Sequence, residues 1–146
     1  MKKINFDSGV QEFQLGSAGV LRFNPADPNL YARFMEAAET IKNLEQELSQ
    51  QAKELEGAED GSGALKLLKS ADGKMKDTLN QVFGGDTDFD KLLGGVNLLA
   101  VGKNGERVVT NLFAALQPVL LAGAESCTKE QVQTAVNRAK SRRSKQ

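Results

Sequence analysis

A seven-residue repeat of apolar side chains, starting just after Pro28, places the strongest constraint on the fold of this chain. Its members, seven residues apart, are Phe34, Ile41, Leu48 and Leu55. A second row, interrupted by Gln51, consists of Leu30, Ala37 and Leu44. This spacing is typical of a long helix that buries one stripe against another helix. Asp27 is a suitable N-cap, and Pro28 is tolerated at the first helical position.

The residues before this repeat have a period of two instead of seven. Three short stretches with alternating apolar positions, separated by glycines, are KINF, QEFQL and GVLRFNP. Alternation of this kind predicts strands. We expect a small antiparallel hairpin or a three-stranded meander in residues 1–27, which must pack on helices to be stable.

After the repeat, glycines interrupt the helical pattern at Gly57–Gly63, and a second helical pattern follows. The short break favours an antiparallel helical hairpin, and a long coiled-coil rod is the alternative. A third helix is predicted in NGERVVTNLFAALQPVLLAG, with Pro118 kinking or shortening it. A last helix is predicted to begin near Thr128, where Gln131 gives capping-box spacing.

These patterns together predict an α+β fold, with a small N-terminal antiparallel β element followed by a mainly helical body. The length of 146 residues suits a single domain. We assign residues 1–137 to one α+β domain, with the β element in 1–27 and the helical part in 28–137. Residues 138–146 are expected to form a basic flexible tail.

Three alternating aspartates resemble the beginning of a calcium-binding EF-hand loop. They are Asp86, Asp88 and Asp90. Such a loop needs a glycine at its sixth position and a bidentate glutamate at its twelfth. This chain has Lys91 and Asn97 there. The aspartates are therefore better interpreted as caps of a short helix, and no metal site is predicted.

A second glycine-rich stretch, GGVNLLAVGKNGE, resembles a phosphate-binding loop. Gly102 and Lys103 would have to be followed by serine or threonine, but Asn104 follows instead. The position of the first glycine of that motif is occupied by Asn97. GKNGE is better interpreted as a tight turn with a solvated lysine.

The composition argues against catalysis. The chain has no histidine, and its one cysteine, Cys127, has no histidine to activate it. We expect no enzymatic activity and no cofactor. No uninterrupted apolar run reaches the length of about 20 residues needed to span a bilayer. With no secretory signal pattern at the start, a cytoplasmic protein without a membrane partner is predicted.

The net charge is zero, but the charges are unevenly distributed. Residues 28–62 carry eight acids and three bases, and residues 128–146 carry six bases and one acid. Arg138, Arg142 and Arg143 lie in the basic end, which has no aromatic residue for stacking on bases. The basic end is therefore best interpreted as a solvated tail, and if it has a binding function, we expect contact with an acidic protein partner and not with nucleic acid.

The heptad row is the second candidate binding surface. Its residues Phe34, Ile41, Leu48 and Leu55 are predicted to bind a helical partner or a second copy of the chain. The alternative is that the second helix covers this row, which would make it ordinary core.

Two longer stretches, FNPADPNLYARFMEAAETI and LNQVFGGDTDFDKLLGG, together resemble small proteins from phage and prophage tail modules of Gram-positive bacteria, similar to tail assembly chaperones. The features that match are Asp27, Tyr31 and Phe34, then Val82–Gly84, then Leu92–Gly95. The resemblance covers residues 20–120, and neither the basic end nor VGKNGE matches it.

The resemblance implies a non-catalytic helper in the host cytoplasm. Proteins of that group bind the long helical tape-measure protein and keep it soluble while the tail tube polymerises. The resemblance carries over no catalytic residue. Two alternatives stay open: a structural tail or connector component of the virion, and a nucleic-acid-associated protein that uses its basic end.

Overall fold

The computed structural model describes residues 1–17, 19–55 and 61–144, except for the side chains of Glu130 and residues 142–144. Two strands come first, β1 (Gln11–Leu15) and β2 (Gly19–Phe23). Four helices follow, namely α1 (Pro28–Glu54), α2 (Ser62–Phe83), α3 (Phe89–Leu92) and α4 (Val108–Ser144). The predicted fold class, a small antiparallel β element followed by a mainly helical body, is confirmed.

The β element is a two-stranded hairpin, in which Phe13 lies opposite Leu21. Alternate residues of β2 are buried, so one face of the hairpin covers the helices. The prediction of a strand in KINF is wrong: Ile4 and Phe6 are exposed and belong to no strand. Alternation alone does not make a strand, since a strand also needs a neighbour to accept its backbone hydrogen bonds.

Helices α1 and α2 form the antiparallel hairpin that the sequence predicts. The Asp27 side chain accepts a hydrogen bond from the Asn29 backbone at 3.0 Å, which begins α1 as expected. Near that end, the Arg33 Nε donates to the Val82 carbonyl at 2.9 Å. At the other end, Leu55 lies beside Gly63. The predicted break overlaps residues 56–60, which lie outside the described residues.

The core lies between the helical hairpin and the first part of α4. The buried residues of α4 are Val109, Leu112, Leu116 and Leu120. They recur every three or four residues, so one stripe of α4 faces the core. The rings of Phe34 in α1 and Phe113 in α4 lie 4.9 Å apart. Four aromatic rings also join the β hairpin to α2 and α3, in the order Phe13, Phe23, Phe83 and Phe89.

The largest correction concerns α4, which continues from Val108 to Ser144 without the predicted interruption. Pro118 removes a hydrogen bond to the Ala114 carbonyl, but both residues are exposed, so water can satisfy that oxygen. Thr128 does not cap a new helix, because its hydroxyl donates to the Ala124 carbonyl at 3.0 Å within the same helix. The helix also includes residues 138–144, where the sequence predicts a flexible tail.

Candidate protein interaction surface

The structure places most of the heptad row in the core of the chain itself. Phe34, Ile41 and Leu48 are buried within the hydrophobic core, and Leu55 is half-buried. In this arrangement the row is covered by α2 and α4. The three buried residues are therefore not available as an external binding surface. They belong to the core of the chain itself, as the alternative interpretation predicted.

A different apolar surface is exposed on the second part of α4. We call residues 124–144 the distal half of α4; it has a length of about 30 Å. Every described side chain from Thr128 to Ser141 is exposed. The apolar residues on one face, which we call the α4 stripe, are Leu121, Ala124, Val132, Ala135, Val136 and Ala139. Their spacing places them on one face of the helix, which is a different face from the one that α4 buries in the core.

The basic candidates lie on this same segment. Arg138 is exposed, as are Lys129 and Lys140. Arg142 and Arg143 belong to the helix, but their side chains lie outside the described residues. The structure therefore brings the predicted basic end next to an exposed apolar stripe, and separates it from the buried heptad row.

Two of the three alternating aspartates, Asp88 and Asp90, have separate structural roles. Asp88 caps α3 as predicted, because its side chain accepts hydrogen bonds from the backbone N–H groups of Asp90 and Lys91. Gly94 and Gly95 follow α3 with positive φ angles, a conformation that glycine adopts without strain. The Asp90 side chain turns towards α2 and binds Lys76. The carboxylates do not converge as calcium ligands would.

Lys76 is the one buried charged side chain among the described residues. Its Nζ lies 2.8 Å from Asp72 Oδ2 and 2.7 Å from Asp90 Oδ1. Asp72 Oδ1 also accepts a hydrogen bond from the Leu98 backbone N–H at 2.8 Å. This cluster ties α2 both to α3 and to the segment before α4. Asp72 and Lys76 have the i, i+4 spacing of a helical ion pair, which is the sequence signal for this cluster, but no ion pair was predicted there.

Two opposing effects act on the pKa of Lys76. Burial alone would lower the pKa, because it penalises the charged amine. The hydrogen bonds and negative charges of Asp72 and Asp90 outweigh burial, so the pKa lies above its ordinary value of 10.5. The cluster therefore holds the lysine in its charged form.

This raised pKa predicts a loss of stability in alkali. The contribution of Lys76 is complete below its ordinary pKa of 10.5 and declines as the pH rises towards the higher pKa of the folded state. We expect the difference in unfolding free energy between the wild-type protein and Lys76→Met to shrink as the pH rises above 10.5. Urea denaturation of both proteins between neutral pH and that range measures it. A difference that stays constant across the range would contradict the prediction.

The GKNGE stretch is the tight turn that the sequence predicts. The Gly102 N–H donates to the Glu106 carbonyl at 2.7 Å, and the Gly105 N–H donates to the Gly102 carbonyl at 3.0 Å. Lys103 is exposed. Since these N–H groups already bind within the turn, they are not arranged to hold a phosphate group.

By length and composition alone, α4 could cross a membrane over Val108–Ser141, where a window of 18 residues has a mean hydropathy of 1.4. Buried residues make up 22% of that window. Its apolar content thus includes side chains that form the core, such as Leu116 and Leu120. The absence of a membrane partner stays a prediction.

The part of the chain that the structure describes contains no group of three or more His, Cys, Asp and Glu side chains that could hold a metal ion.

The exposed α4 stripe with its neighbouring basic residues is the candidate surface that the geometry favours. The apolar spacing of Val132, Val136 and Ala139 is visible in the sequence, but it does not show that this face stays exposed. Comparisons with protein-family models, with curated proteins and with solved structures find no match to this chain.

Proposed function

We propose that this protein is a non-catalytic assembly factor that binds a helical protein partner through the distal half of α4. The tail assembly chaperones that the sequence resembles provide the specific form of the proposal: the partner is a tape-measure type of protein, bound in the host cytoplasm during phage tail assembly. The observation that carries it is the exposed α4 stripe.

The physical argument begins with the exposure of this helical segment. Most helical stability in proteins comes from the packing of an apolar face, and the distal half of α4 has no such packing among the described residues. The α4 stripe is such a face, and its residues are exposed from Val132 onwards. A second helix packed along the stripe would bury it and stabilise the distal half of α4.

The charges beside the stripe indicate the chemistry of the partner. Lys129, Arg138 and Lys140 are exposed on the distal half of α4. Such residues pair with carboxylates at the polar rim of a helix–helix contact. The best complement is therefore an amphipathic helix with acidic residues flanking its apolar face. A protein made largely of long helices would offer many such segments.

We expect the paired substitution Val132→Asp and Val136→Asp to weaken binding to the tape-measure protein of the same phage or prophage by about 100-fold. The two charges would have to be buried in the contact at a large cost. The matched control is Gln133→Asp with Asn137→Asp, which adds the same charge on another face of the helix, where these two side chains bond to each other at 3.1 Å. Isothermal titration calorimetry of the purified proteins measures the affinity.

Circular dichroism of both variants shows whether the folded body is retained. If both variants bind the partner as tightly as the wild-type protein, the α4 stripe is not the binding surface. If the wild-type protein itself does not bind, the tape-measure proposal is wrong. Salt-sensitive DNA binding by the wild-type protein with no binding to the helical partner would favour the nucleic-acid alternative.

A further inference from the structure

The turn before α4 contains the one Asn–Gly pair in the chain, Asn104–Gly105. Both residues are exposed to water. An asparagine followed by glycine is especially prone to deamidation, because the second residue has no side chain to hinder attack by its backbone nitrogen. Gly105 also has a positive φ of 84°, which glycine adopts without strain. Sequence and exposure therefore both favour deamidation at Asn104.

The Asn104 side chain is held in place by a neighbour on α4. Asn104 Nδ2 donates to Asn111 Oδ1 at 2.8 Å, and Asn111 Nδ2 donates to Asn104 Oδ1 at 3.2 Å. The Glu106 N–H also donates to Asn104 Oδ1 at 3.1 Å. The two amides lie close to Gly102, where a Cβ atom would be only 2.9 Å from Asn111 Nδ2. The Asn104 carboxamide is therefore less free to rotate than one in an open turn.

The backbone nitrogen that would attack this carboxamide is engaged as well. The Gly105 N–H donates to the Gly102 carbonyl at 3.0 Å. Before the reaction, this nitrogen must lose its proton and the Asn104 carboxamide must align with it. Because the hydrogen bonds of the turn oppose both changes, the folded protein should react more slowly than the unfolded chain.

We propose that Asn104 is a site of spontaneous deamidation and that Asn111 sets its rate by holding the Asn104 carboxamide. The Gly105 nitrogen attacks Asn104 Cγ, so that an N–Cγ bond forms and the Cγ–Nδ2 bond breaks. Ammonia leaves with the proton of the Gly105 N–H. Water then opens the cyclic imide at one of its two carbonyl groups and leaves an aspartate or an isoaspartate. The net reaction consumes water and releases ammonia, without an oxidant or an enzyme.

Either product changes the turn. A carboxylate cannot donate a hydrogen bond, so the bond to Asn111 Oδ1 is lost. An isoaspartate also adds a main-chain atom before Gly105, which would disturb the bond of 2.7 Å from the Gly102 N–H to the Glu106 carbonyl. Since α4 begins at Val108, the modification would act on the start of the helix that carries the α4 stripe.

Peptide mapping by mass spectrometry during incubation in a mildly alkaline buffer tests the proposal. In the folded wild-type protein, Asn104 should convert faster than any other asparagine, since no other asparagine precedes a glycine. Asn111→Ala should raise the rate of conversion at Asn104 by about tenfold, the factor expected for loss of a hydrogen-bonded pair of ordinary strength. The matched control is Gln117→Ala, which removes an exposed amide of α4 away from the turn and should leave the rate unchanged.

Two further comparisons separate the effect of the fold from that of the sequence. In concentrated urea, the wild-type protein and Asn111→Ala should convert Asn104 at the same rate, and faster than the folded wild-type protein does. Gly105→Ala should slow the conversion in urea, where strain at its positive φ no longer matters. In the folded state, Asn111→Asp keeps the acceptor for Asn104 Nδ2 but loses the donor, so its rate should lie between those of the wild-type protein and Asn111→Ala.

Two results would overturn the inference. If Asn104 converts no faster than the other asparagines of the folded wild-type protein, it is not a deamidation site. If Asn111→Ala and Asn111→Asp both convert Asn104 at the wild-type rate while circular dichroism shows them folded, Asn111 does not set the rate.

Discussion

Gly123→Ala is expected to destabilise the protein by about 3 kcal/mol, at the upper end of the usual cost of an overpacked contact. A Cβ atom at Gly123 would overlap the carbonyl oxygen and carbonyl carbon of Pro25. These are backbone atoms, so no side-chain rotation can relieve the clash. Helix α4 would have to move away from the segment that joins β2 to α1.

The matched control is Gly73→Ala in the middle of α2. A Cβ at Gly73 would meet nothing within 4 Å. Since alanine is favoured over glycine in a helix interior by about 1 kcal/mol, this variant should be more stable than the wild-type protein. Urea denaturation of the three proteins gives the free energies of unfolding. Equal stability of Gly123→Ala and the wild-type protein would mean that α4 does not pack on Pro25 as described.

Asp72→Ala is expected to cost about 3 kcal/mol, because it removes the acceptor of one buried group and the less exposed of the two partners of another. The Lys76 amine would lose its contact at 2.8 Å, and the Leu98 N–H would lose its acceptor. Asp90 would remain as a partner of the lysine, but its side chain is 64% exposed and offers weaker compensation.

Two further variants separate these contributions. Asp90→Ala should cost no more than about 1 kcal/mol, since a largely exposed carboxylate interacts in a screened environment. Asp72→Asn removes the charge but keeps an oxygen that can accept from the Leu98 N–H, so its cost should lie between the other two. Thermal or urea unfolding of the three variants measures the order. If Asp90→Ala proved more costly than Asp72→Ala, the assignment of Asp72 as the principal partner of Lys76 would be wrong.

The fold was predictable wherever local patterns and tertiary packing agree. The row from Phe34 to Leu48 has one spacing that suits a helix, and the core needs that same face. Asp27 and Asp88 act as caps because a short carboxylate bonds to nearby N–H groups whatever lies further away. In these places the interactions that determine the structure are made between residues close together in the sequence.

Predictions from the sequence are wrong in segments where a local signal competes with contacts to distant parts of the chain. A proline usually ends or kinks a helix. Whether Pro118 does so depends on whether water can reach the Ala114 carbonyl that loses its hydrogen bond. Similarly, Thr128 can cap a helix or bond within one, and the spacing to Gln131 does not distinguish the two. The strand predicted in KINF does not form, because a strand needs a second chain segment to accept its backbone hydrogen bonds, and alternation does not show whether that segment exists.

The candidate surface was only partly predictable for the same reason. The heptad row and the α4 stripe are both amphipathic patterns, and a pattern does not say which partner covers it. The structure shows that the first is covered by the chain itself and that the second is exposed. The function of the α4 stripe stays a proposal.

The continuity of α4 has a consequence for how its length can vary. Because one unbroken helix joins the buried Leu120 to the exposed Val132, the direction in which the stripe points is determined by the number of residues between them. Inserting a single residue there would rotate the stripe by about 100° about the helix axis while leaving its composition intact. An insertion of seven residues would lengthen the helix by about 10 Å but return the stripe to nearly its original direction. Insertions between these two positions should therefore preserve the direction of the stripe in steps of about seven residues, although every described side chain there is exposed or half-buried.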